Sequence, residues 1–434
     1  MNEKNVITSA FDLHLTGALT DAEIAYRRIL SVDPLQTEVQ HHLGVLLHQK
    51  GNTQEGIELI IKALEIDAGS ASRYNDLGNI FTQIGGLTDA AAAFSLSLDF
   101  NDTDANVWTN FGSVLHRQQH FADAENAYRV ALYYNIQFIP ALNNLATLLA
   151  EQGQEEESSW YECLAYIQPP LTGKSPIMLG TAYYRLNFIA DAAEYYRMWL
   201  KKDANNAFAT HHLAACTGEE VPSKASDCYL RTIFDGTAEH FEENLVGKLL
   251  YQGPEIIIGL LERHLLKSRV LDVLDGGCGT GLCGSVLTQY AKHLTGVDIS
   301  PGMLAKAKKK ALYNNLVEME LATYLTEQQQ AFDLICMADT LIYFGDLSVF
   351  FGLVRRALRL GGKFVFTVEV EKETTQEVGF TLAASGRYTH SYRYLTQLLV
   401  THHFSILRIE EVILRMEIGQ PTQGFGVLAE ALPL

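Results

Sequence analysis

The chain has 434 residues, which exceeds what one hydrophobic core usually serves, so two domains are expected. It is 47% hydrophobic and 19% charged, as folded proteins are, and its formal net charge is −18. An acidic surface repels phosphate backbones, which argues against nucleic acid as the main partner.

The chain offers no sign of a metal site, a disulfide framework or a membrane segment. Its six cysteines include no C-x-x-C pair and no regular spacing with histidine. No run approaches eighteen apolar residues, and residues 1–4 lack the basic-then-apolar layout of a secretory signal. A cytoplasmic protein with reduced thiols is expected.

The N-terminal half repeats every 34 residues. One column of the alignment is large and apolar, and a glycine or alanine follows it each time: Leu43, Leu77, Phe111, Leu145, Leu179 and Leu213. A second small residue stands twelve positions after the first. Four positions later comes a large residue, at Tyr26, Ile60, Phe94, Tyr128 and Tyr196, whereas Glu162 takes this place in one repeat. The pattern predicts pairs of antiparallel helices in which small residues let two backbones approach.

This period and pattern resemble the tetratricopeptide repeat, in about six units. The resemblance implies an all-α solenoid over residues 1–216, and residues 217–224 have the composition of a linker. Such a solenoid has a concave face that suits extended ligands.

A column of polar side chains recurs near the middle of the first helix of successive repeats. It contains His42, Asp76, Asn110, Asn144 and His212. Side chains of this kind inside a solenoid can hold a peptide backbone, so Asp76, Asn110 and Asn144 are candidate contacts to a protein or peptide partner. The alternative is a solvated polar face.

The C-terminal half begins with a strand composition at residues 269–274 that leads into the glycine-rich run 275–281 and a helix at 282–291. A strand, a glycine-rich turn and a helix open a nucleotide-type site, because glycine lets the backbone approach the ligand. The next strand, 294–297, ends at Asp298, whose carboxylate can accept both hydroxyls of a ribose.

Strands and helices then alternate, which predicts a mostly parallel sheet. The last two predicted strands would form an antiparallel edge. The predicted elements are a helix at 303–313, strands at 317–321 and 332–337, a helix at 347–358, and strands at 363–368, 406–416 and 424–430.

Two cofactors compete for this site. Residues 279–284 also satisfy the G-x-G-x-x-G pattern of a dinucleotide fold, but that motif is weak when taken alone. Asp275 immediately precedes the glycines. Its negative charge suits a sulfonium and an ammonium group and would repel a pyrophosphate, which favours S-adenosylmethionine over NAD.

The motif D-x-G-x-G-x-G, the acid Asp298 and the turn Gly361-Gly362 resemble the class I methyltransferases. The fusion to tetratricopeptide repeats, with the segments 296–300, 339–343 and 385–391, resembles bacterial repeat-containing methyltransferases. The resemblance implies a Rossmann-like, seven-stranded, mostly parallel sheet with an antiparallel C-terminal edge over residues 225–434.

The resemblance also implies roles for individual residues. Asp275, Gly277, Gly279 and Gly281 would surround the methionine end, Asp298 and Ile299 the ribose, Glu320 and Leu321 the adenine, and Ala338 and Asp339 the methyl-transfer site. Glu320 departs from the aspartate that is more usual there.

The insertion from Glu371 to Tyr394 is placed to cover the crevice at the carboxyl ends of the strands. Within it, His390 could act as a general base and Arg387 could hold a substrate carboxylate. Tyr343 and Glu369 should reach the crevice from strand ends. The alternative is that these four residues only hold the insertion together.

The predicted activity is methyl transfer from S-adenosylmethionine to a protein, or to a group displayed on a protein, that the repeats recruit. One alternative is a small-molecule O- or N-methyltransferase whose repeats serve oligomerisation or localisation. Another is a non-catalytic adaptor with a cofactor-sensing domain. The sequence leaves the oligomeric state open.

Overall fold

The computed structural model describes residues 3–370, 379–417 and 420–433, with side chains from Val6 onward. The chain forms two compact units, Met1–Gly173 and Lys174–Leu434. The domain boundary expected at residues 217–224 stays a prediction. No helix in the described part of the chain is long and apolar enough to cross a membrane.

The N-terminal unit is a helical repeat. Its described helices are α1 (Glu3–Leu15), α2 (Leu19–Val32), α3 (Thr37–Gln49), α4 (Thr53–Ile66), α5 (Ala71–Ile84), α6 (Leu87–Phe100), α7 (Ala105–Arg117), α8 (Phe121–Tyr134), α9 (Ile139–Glu151) and α10 (Glu155–Tyr166). Consecutive helices pack as the pairs α1/α2 through α9/α10.

The small residues of the repeat are where the two helices of a pair come closest. A Cβ on Gly78 would lie 2.6 Å from the ring of Phe94, and one on Gly112 would lie 2.7 Å from the ring of Tyr128. Phe94 and Tyr128 are fully buried. The two helices of a pair therefore approach at the small residues, as predicted, and the rings of the large column fill the space over these glycines.

Hydrogen bonds also join successive repeats at a fixed offset. A histidine near the end of the first helix of a pair contacts the side chain 35 residues further on, in the next pair. These contacts are His14 to Gln49 at 3.1 Å, His48 to Gln83 at 2.7 Å and His116 to Glu151 at 2.8 Å.

The C-terminal unit begins with helices. They are α11 (Pro176–Arg185), α12 (Ile189–Lys202), α13 (Ala207–Thr217), α14 (Asp227–Thr237), a π-helical turn (Glu243–Lys248) and α15 (Gly253–Leu261). Helices α11 to α13 continue the repeat pattern, since a Cβ on Gly180 would lie 2.9 Å from the ring of Tyr196.

A nine-stranded sheet follows. Its strands are β1 (Leu271–Gly276), β2 (Ala291–Asp298), β3 (Asn315–Glu318), β4 (Phe332–Met337), β5 (Leu358–Val370), β6 (Phe380–Leu382), β7 (Tyr388–His390), β8 (Phe404–Glu417) and β9 (Gln420–Ala431). The parallel strands run in the order β3-β2-β1-β4-β5. Strand β9 pairs antiparallel with β5 and β8, which forms the predicted antiparallel edge.

The sheet has two strands more than the seven expected, because the insertion after β5 folds as the hairpin β6–β7. Strand β7 continues the sheet by pairing with Glu369 and Val370 at the end of β5. Residues 371–378 of the predicted insertion lie outside the described residues.

Helices cover both faces of the sheet. They are α15 and α16 (Gly284–Leu287) against one core, and α18 (Leu321–Thr326), α19 (Ser348–Ala357) and α20 (Tyr392–Thr401) against the other; α17 (Pro301–Lys309) follows β2. The helix expected at 282–291 is shorter because β2 already begins at Ala291. The strand expected to reach Leu321 ends at Glu318, because Glu320 caps α18.

Candidate active site

A cavity of about 220 Å³ lies at the carboxyl ends of the parallel strands. It lies where open α/β sheets bind their ligands. Of the predicted site residues, the following line it: Asp275, Gly277, Gly279, Asp298, Ile299, Glu320, Leu321, Ala338, Asp339, Tyr343 and Arg387. Gly281, Glu369 and His390 are not part of its lining.

The three predicted glycines of the turn after β1 serve different purposes. All three have positive φ angles, of +72° at Gly277, +52° at Gly279 and +85° at Gly281. A Cβ on Gly277 would lie 2.4 Å from the Thr340 hydroxyl, whereas a Cβ on Gly279 would meet no atom within 4 Å. Gly279 is therefore the glycine that leaves room for a ligand beside the backbone.

The ring of Tyr313 fills the space beneath this turn. A Cβ on Gly281, Gly284 or Gly296 would lie 2.8–2.9 Å from Tyr313 atoms. The Tyr313 hydroxyl donates a hydrogen bond of 2.6 Å to Asp275. Two glycines of the apparent dinucleotide motif, 281 and 284, thus make room for a side chain of the protein itself.

Asp275 is a buried carboxylate with a strongly perturbed pKa. Burial raises the pKa of Asp275 to about 7, and the Tyr313 hydrogen bond opposes that shift. A carboxylate of this kind gains much from a neighbouring cation, because a cation supplies the compensation that the buried site lacks.

Asp298 stands at the tip of β2. Its two carboxylate oxygens accept hydrogen bonds from the backbone of Gly279, at 2.8 Å, and of Ser300, at 2.9 Å. Burial raises the pKa of Asp298, and these backbone donors act in the other direction. Each oxygen keeps lone-pair capacity, so the carboxylate is oriented to accept further hydroxyl groups.

Glu320, the residue with the predicted adenine role, has two structural partners as well. Its carboxylate accepts a hydrogen bond of 2.7 Å from the Thr323 backbone at the start of α18 and pairs with Lys224 at 3.0 Å. Burial opposes ionisation, but the donors from Thr323 and Lys224 lower the pKa of Glu320. Its side chain is thus fixed as an anion at the cavity wall.

The opposite end of the cavity is bordered by five charged residues that we term the arginine–carboxylate cluster: Asp339, Glu369, Arg387, Arg415 and Glu417. Arg415 donates to Asp339 at 2.6 Å, to Glu417 at 2.8 Å and to Glu369. Arg387 donates to Glu369 at 2.6 Å and to both oxygens of Glu417 at 2.6–2.7 Å. Because Arg415 is only 3% exposed, this is a buried ion-pair network.

Sequence reasoning missed Arg415 and Glu417. Both stand at the end of β8, two positions apart, so their side chains share one face of the strand. The available signal was an arginine inside an apolar run, Val412-Ile413-Leu414-Arg415-Met416, near the end of a predicted strand. A buried charge at a strand tip is a frequent mark of a functional site.

Sequence reasoning also missed the segment that covers the cavity, residues 224–251, which we term the cover segment. Its apolar side chains line the cavity at helical spacing: Leu230, Phe234, Phe241, Leu245 and Leu249. Its polar side chains hold it to the sheet edge: Asp235 to Ser300 at 2.5 Å, Arg231 to Glu318 at 3.0 Å, Glu239 to Lys306 at 2.8 Å and Glu242 to Lys310 at 2.7 Å.

Helix α13 of the last repeat packs beside the arginine–carboxylate cluster, within the same compact unit. The ring of His211 stacks on Tyr229 of the cover segment with centroids 4.0 Å apart, and its Nε2 lies 2.8 Å from the carbonyl oxygen of Gly386. Gly386 immediately precedes Arg387. Tyr184 of α11 packs edge-on against His212 of α13.

His390 is not with the other predicted site residues. Its side chain is fully buried, its Nε2 lies 3.1 Å from the carbonyl oxygen of Gly345, and its ring stacks on Tyr394. Burial lowers the pKa of His390 to about 4, so the imidazole is neutral at physiological pH. These contacts hold the hairpin β6–β7 against the turn before α19.

The cavity fits S-adenosylmethionine. Gly279 leaves open space beside the backbone, and Asp275 offers an uncompensated carboxylate for a cationic group. Asp298 lies at the next strand tip toward the Glu320 end, in the order expected for methionine, ribose and adenine groups. The same order puts the arginine–carboxylate cluster at the acceptor end, beyond β4 and β5.

Comparisons with known proteins agree with this geometry. Residues 274–366 match the model of a methyltransferase domain, and residues 37–69 match that of a tetratricopeptide repeat. The chain therefore joins tetratricopeptide repeats to a class I methyltransferase domain that uses S-adenosylmethionine.

Curated relatives resemble the methyltransferase part. The 18S rRNA (guanine(1575)-N(7))-methyltransferase of Saccharomyces cerevisiae is 37% identical over 107 residues, which are 21% of this chain and 38% of that protein. The ubiquinone biosynthesis O-methyltransferase of Idiomarina loihiensis is 24% identical over 197 residues, 42% of this chain and 79% of the relative. The chain thus spans well under half of the yeast relative.

Two solved structures are similar to parts of the chain. The crystal structure of MamA has 24% identity and a TM-score of 0.34, covering 36% of this chain and 91% of MamA. A methyltransferase from Methanosarcina mazei has 21% identity and a TM-score of 0.34, covering 40% of this chain and 98% of the other.

Proposed function

We propose that this protein transfers the methyl group of S-adenosylmethionine to a protein, or to a group displayed on a protein, that its repeats recruit. The supporting observation is that helices of the last repeat lie beside the acceptor end of the cavity. The Nε2 atom of His211 lies 2.8 Å from the carbonyl oxygen of Gly386, which immediately precedes Arg387. A polypeptide held by the last repeat, which belongs to the same compact unit as the cavity, would be close to the reacting atoms.

The cofactor supplies an electrophilic methyl group on a sulfonium sulfur, and the protein contributes orientation, exclusion of water and charge placement. Asp275 would face the cationic end of the cofactor and Asp298 its ribose hydroxyls. The apolar side chains of the cover segment would exclude water from the cavity. Strong base catalysis is not required for such a displacement.

The polar column of the N-terminal unit is the proposed recruiting surface. In the structure Asp76 accepts a hydrogen bond from His41 at 2.7 Å, and Asn110 donates to Asn79 at 3.1 Å. These contacts orient the column and leave each group with further hydrogen-bonding capacity. Asn144 occupies the corresponding position one repeat further on.

The proposal is tested by incubating the protein with S-[methyl-³H]adenosylmethionine and lysate of its native host, followed by separation of macromolecules from small molecules. Tritium is expected in the protein fraction. The variant Asn110→Ala/Asn144→Ala should lower this labelling about tenfold, the effect of losing a few hydrogen bonds, without changing cofactor affinity.

A matched control replaces Gln137 and Gln152, both exposed on the same repeats, by alanine. It should label protein as the wild type does. Tritium confined to small molecules, and unaffected by the Asn110/Asn144 changes, would instead support a small-molecule methyltransferase. The relatives named above are an rRNA methyltransferase and an O-methyltransferase of ubiquinone biosynthesis, so the labelled products have to identify the acceptor.

A further inference from the structure

The two arginines at the acceptor end have their donors committed to the protein. All three nitrogens of Arg415 bond to carboxylates, namely Asp339, Glu369 and Glu417. Two of the three nitrogens of Arg387 bond to Glu369 and Glu417. A substrate anion that approached Arg415 would therefore have to displace a carboxylate that is already paired, and at Arg387 it would meet a guanidinium that two carboxylates already neutralise.

The arginine–carboxylate cluster has no net positive charge. Two guanidinium groups face three carboxyl groups, Asp339, Glu369 and Glu417. Burial raises the pKa of Asp339, although Arg415 opposes that shift. The cluster carries one negative charge with Asp339 ionised and none with Asp339 protonated. Neither state provides a site for a carboxylate or phosphate.

The carboxylates at the acceptor end that could take a proton from a hydroxyl group, Asp339 and Glu417, are both paired with Arg415. His390 points to the carbonyl oxygen of Gly345 rather than into the cavity. The cavity wall does contain the Tyr343 side chain, but burial raises the pKa of Tyr343 to about 12, so its hydroxyl is a poor base. An amine does not need such a base, because it loses its proton to solvent and then carries a nucleophilic lone pair.

We propose that the acceptor is an amine. It approaches as a cation, attracted by the carboxylates of the cluster, of which Glu417 is the more accessible with 30% of its side chain exposed. Asp339, Glu417 and the Tyr343 hydroxyl are cavity-lining groups at this end that can orient its N–H bonds. This inference rests on the proposed function, whose acceptor it specifies by chemical class.

The transfer step balances without a further reactant. The amine first releases one proton to solvent. Its nitrogen lone pair then forms the new N–C bond while the S–C bond breaks, and the electron pair of that bond stays on sulfur. The methylated ammonium can lose a second proton on release from the cavity.

The chemistry of the product tests this directly. Wild-type protein is incubated with S-[methyl-³H]adenosylmethionine and lysate, and the tritiated product is treated with alkali and then hydrolysed in acid. We expect tritium that resists alkali and migrates with N-methylated amines. Volatile tritiated methanol after alkali would reveal a methyl ester and overturn the amine assignment, as would an alkali-stable O-methyl or C-methyl product.

Failure of the proposed function looks different. In that case no acceptor-dependent tritium appears in any fraction although the protein binds S-adenosylmethionine, and the amine assignment falls with it.

A variant examines the role of charge. Glu417→Gln should raise KM for the tritiated acceptor about five- to tenfold, the effect of losing a charge-assisted hydrogen bond, with KM for the cofactor unchanged. Glu410→Gln is the matched control, because Glu410 lies on the same strand and pairs with Arg408. A lower acceptor KM in Glu417→Gln would indicate an anionic acceptor and overturn the proposal.

Discussion

The two ends of the cavity are constructed differently. At the cofactor end, short-range features dominate: positive-φ glycines, strand-tip carboxylates and backbone donors such as those of Gly279 and Ser300. At the acceptor end, charged side chains from β5, β7, β8 and the turn after β4 form one network. The cofactor end is thus set by local sequence, and the acceptor end by tertiary structure.

The largest effect is expected from Arg415→Met. The substitution keeps volume but leaves three carboxyl groups with a single arginine, and breaking a buried ion-pair network typically costs about 3–5 kcal/mol. Urea unfolding should show that loss in the free energy of unfolding. Arg408→Met, which breaks a partly exposed pair with Glu410, should cost less than about 1 kcal/mol. Equal losses would show that the cluster is not a structural unit.

Asp298→Ala should have the next largest effect, and it should fall on ligand binding. Loss of the ribose acceptor is expected to weaken S-adenosylmethionine binding by about 1–3 kcal/mol in calorimetry. Asp333→Ala is the control, because Asp333 lies near the start of β4, where it pairs with Arg359. Unchanged affinity in Asp298→Ala would remove Asp298 from the cofactor site.

Asp275 should make cofactor binding depend on pH. Its pKa of about 7 means that the carboxylate, which is the form that attracts a cation, becomes dominant as pH rises through neutrality. Affinity for S-adenosylmethionine should therefore rise about tenfold between pH 6 and pH 8. Asp275→Asn should bind weakly at both values. A pH-dependent Asp275→Asn variant would assign the titration to another group.

The same pKa has a consequence for stability, with the sign reversed. The folded protein binds the Asp275 proton more tightly than the unfolded chain does, so the stabilising contribution is complete below about pH 4 and is lost as pH rises through 7. In the absence of cofactor, Asp275→Asn should thus unfold at a higher urea concentration than the wild type at pH 8. The difference should shrink at pH 5.

The smallest effect on methyl transfer is expected from His390→Gln. This variant distinguishes a structural role of His390 from a catalytic one. The buried ring contacts Gly345 and Tyr394, so the variant should lose stability while kcat changes less than about threefold. General-base catalysis is usually worth a factor of about 10² or more. A loss of kcat of that size in a folded variant would show that His390 acts as a general base.

Sequence alone predicted the repeat helices and a mostly parallel sheet, and it named most of the residues that line the cofactor end of the cavity. These features depend on periodicity and on motifs within a few residues, such as Asp275 and its glycines. It placed Arg387 and Tyr343 at the cavity but missed Arg415, which pairs with Asp339 from 76 residues away in the chain. Contacts of that separation are fixed by the pairing of β5, β8 and β9.

The sequence also predicted that His390 reaches the crevice, whereas the fold buries it against Gly345 and Tyr394. The histidine follows Arg387 by three residues, but β7 is a strand, so the two side chains point to opposite faces. The cover segment was missed because its helical spacing is typical of any buried helix, and only the fold shows that the buried face borders a cavity.

The packing of Tyr313 links positions that are far apart in the sequence. Gly284 owes its lack of a side chain to this ring, because the atoms nearest to a Cβ there all belong to Tyr313, and its φ angle is not positive. Relatives with a smaller residue at position 313 should therefore tolerate alanine at 284, and the two positions should vary together in evolution. Replacement of Tyr313 would also remove the hydroxyl that donates to Asp275. The cofactor site and this aromatic residue should therefore change together among relatives.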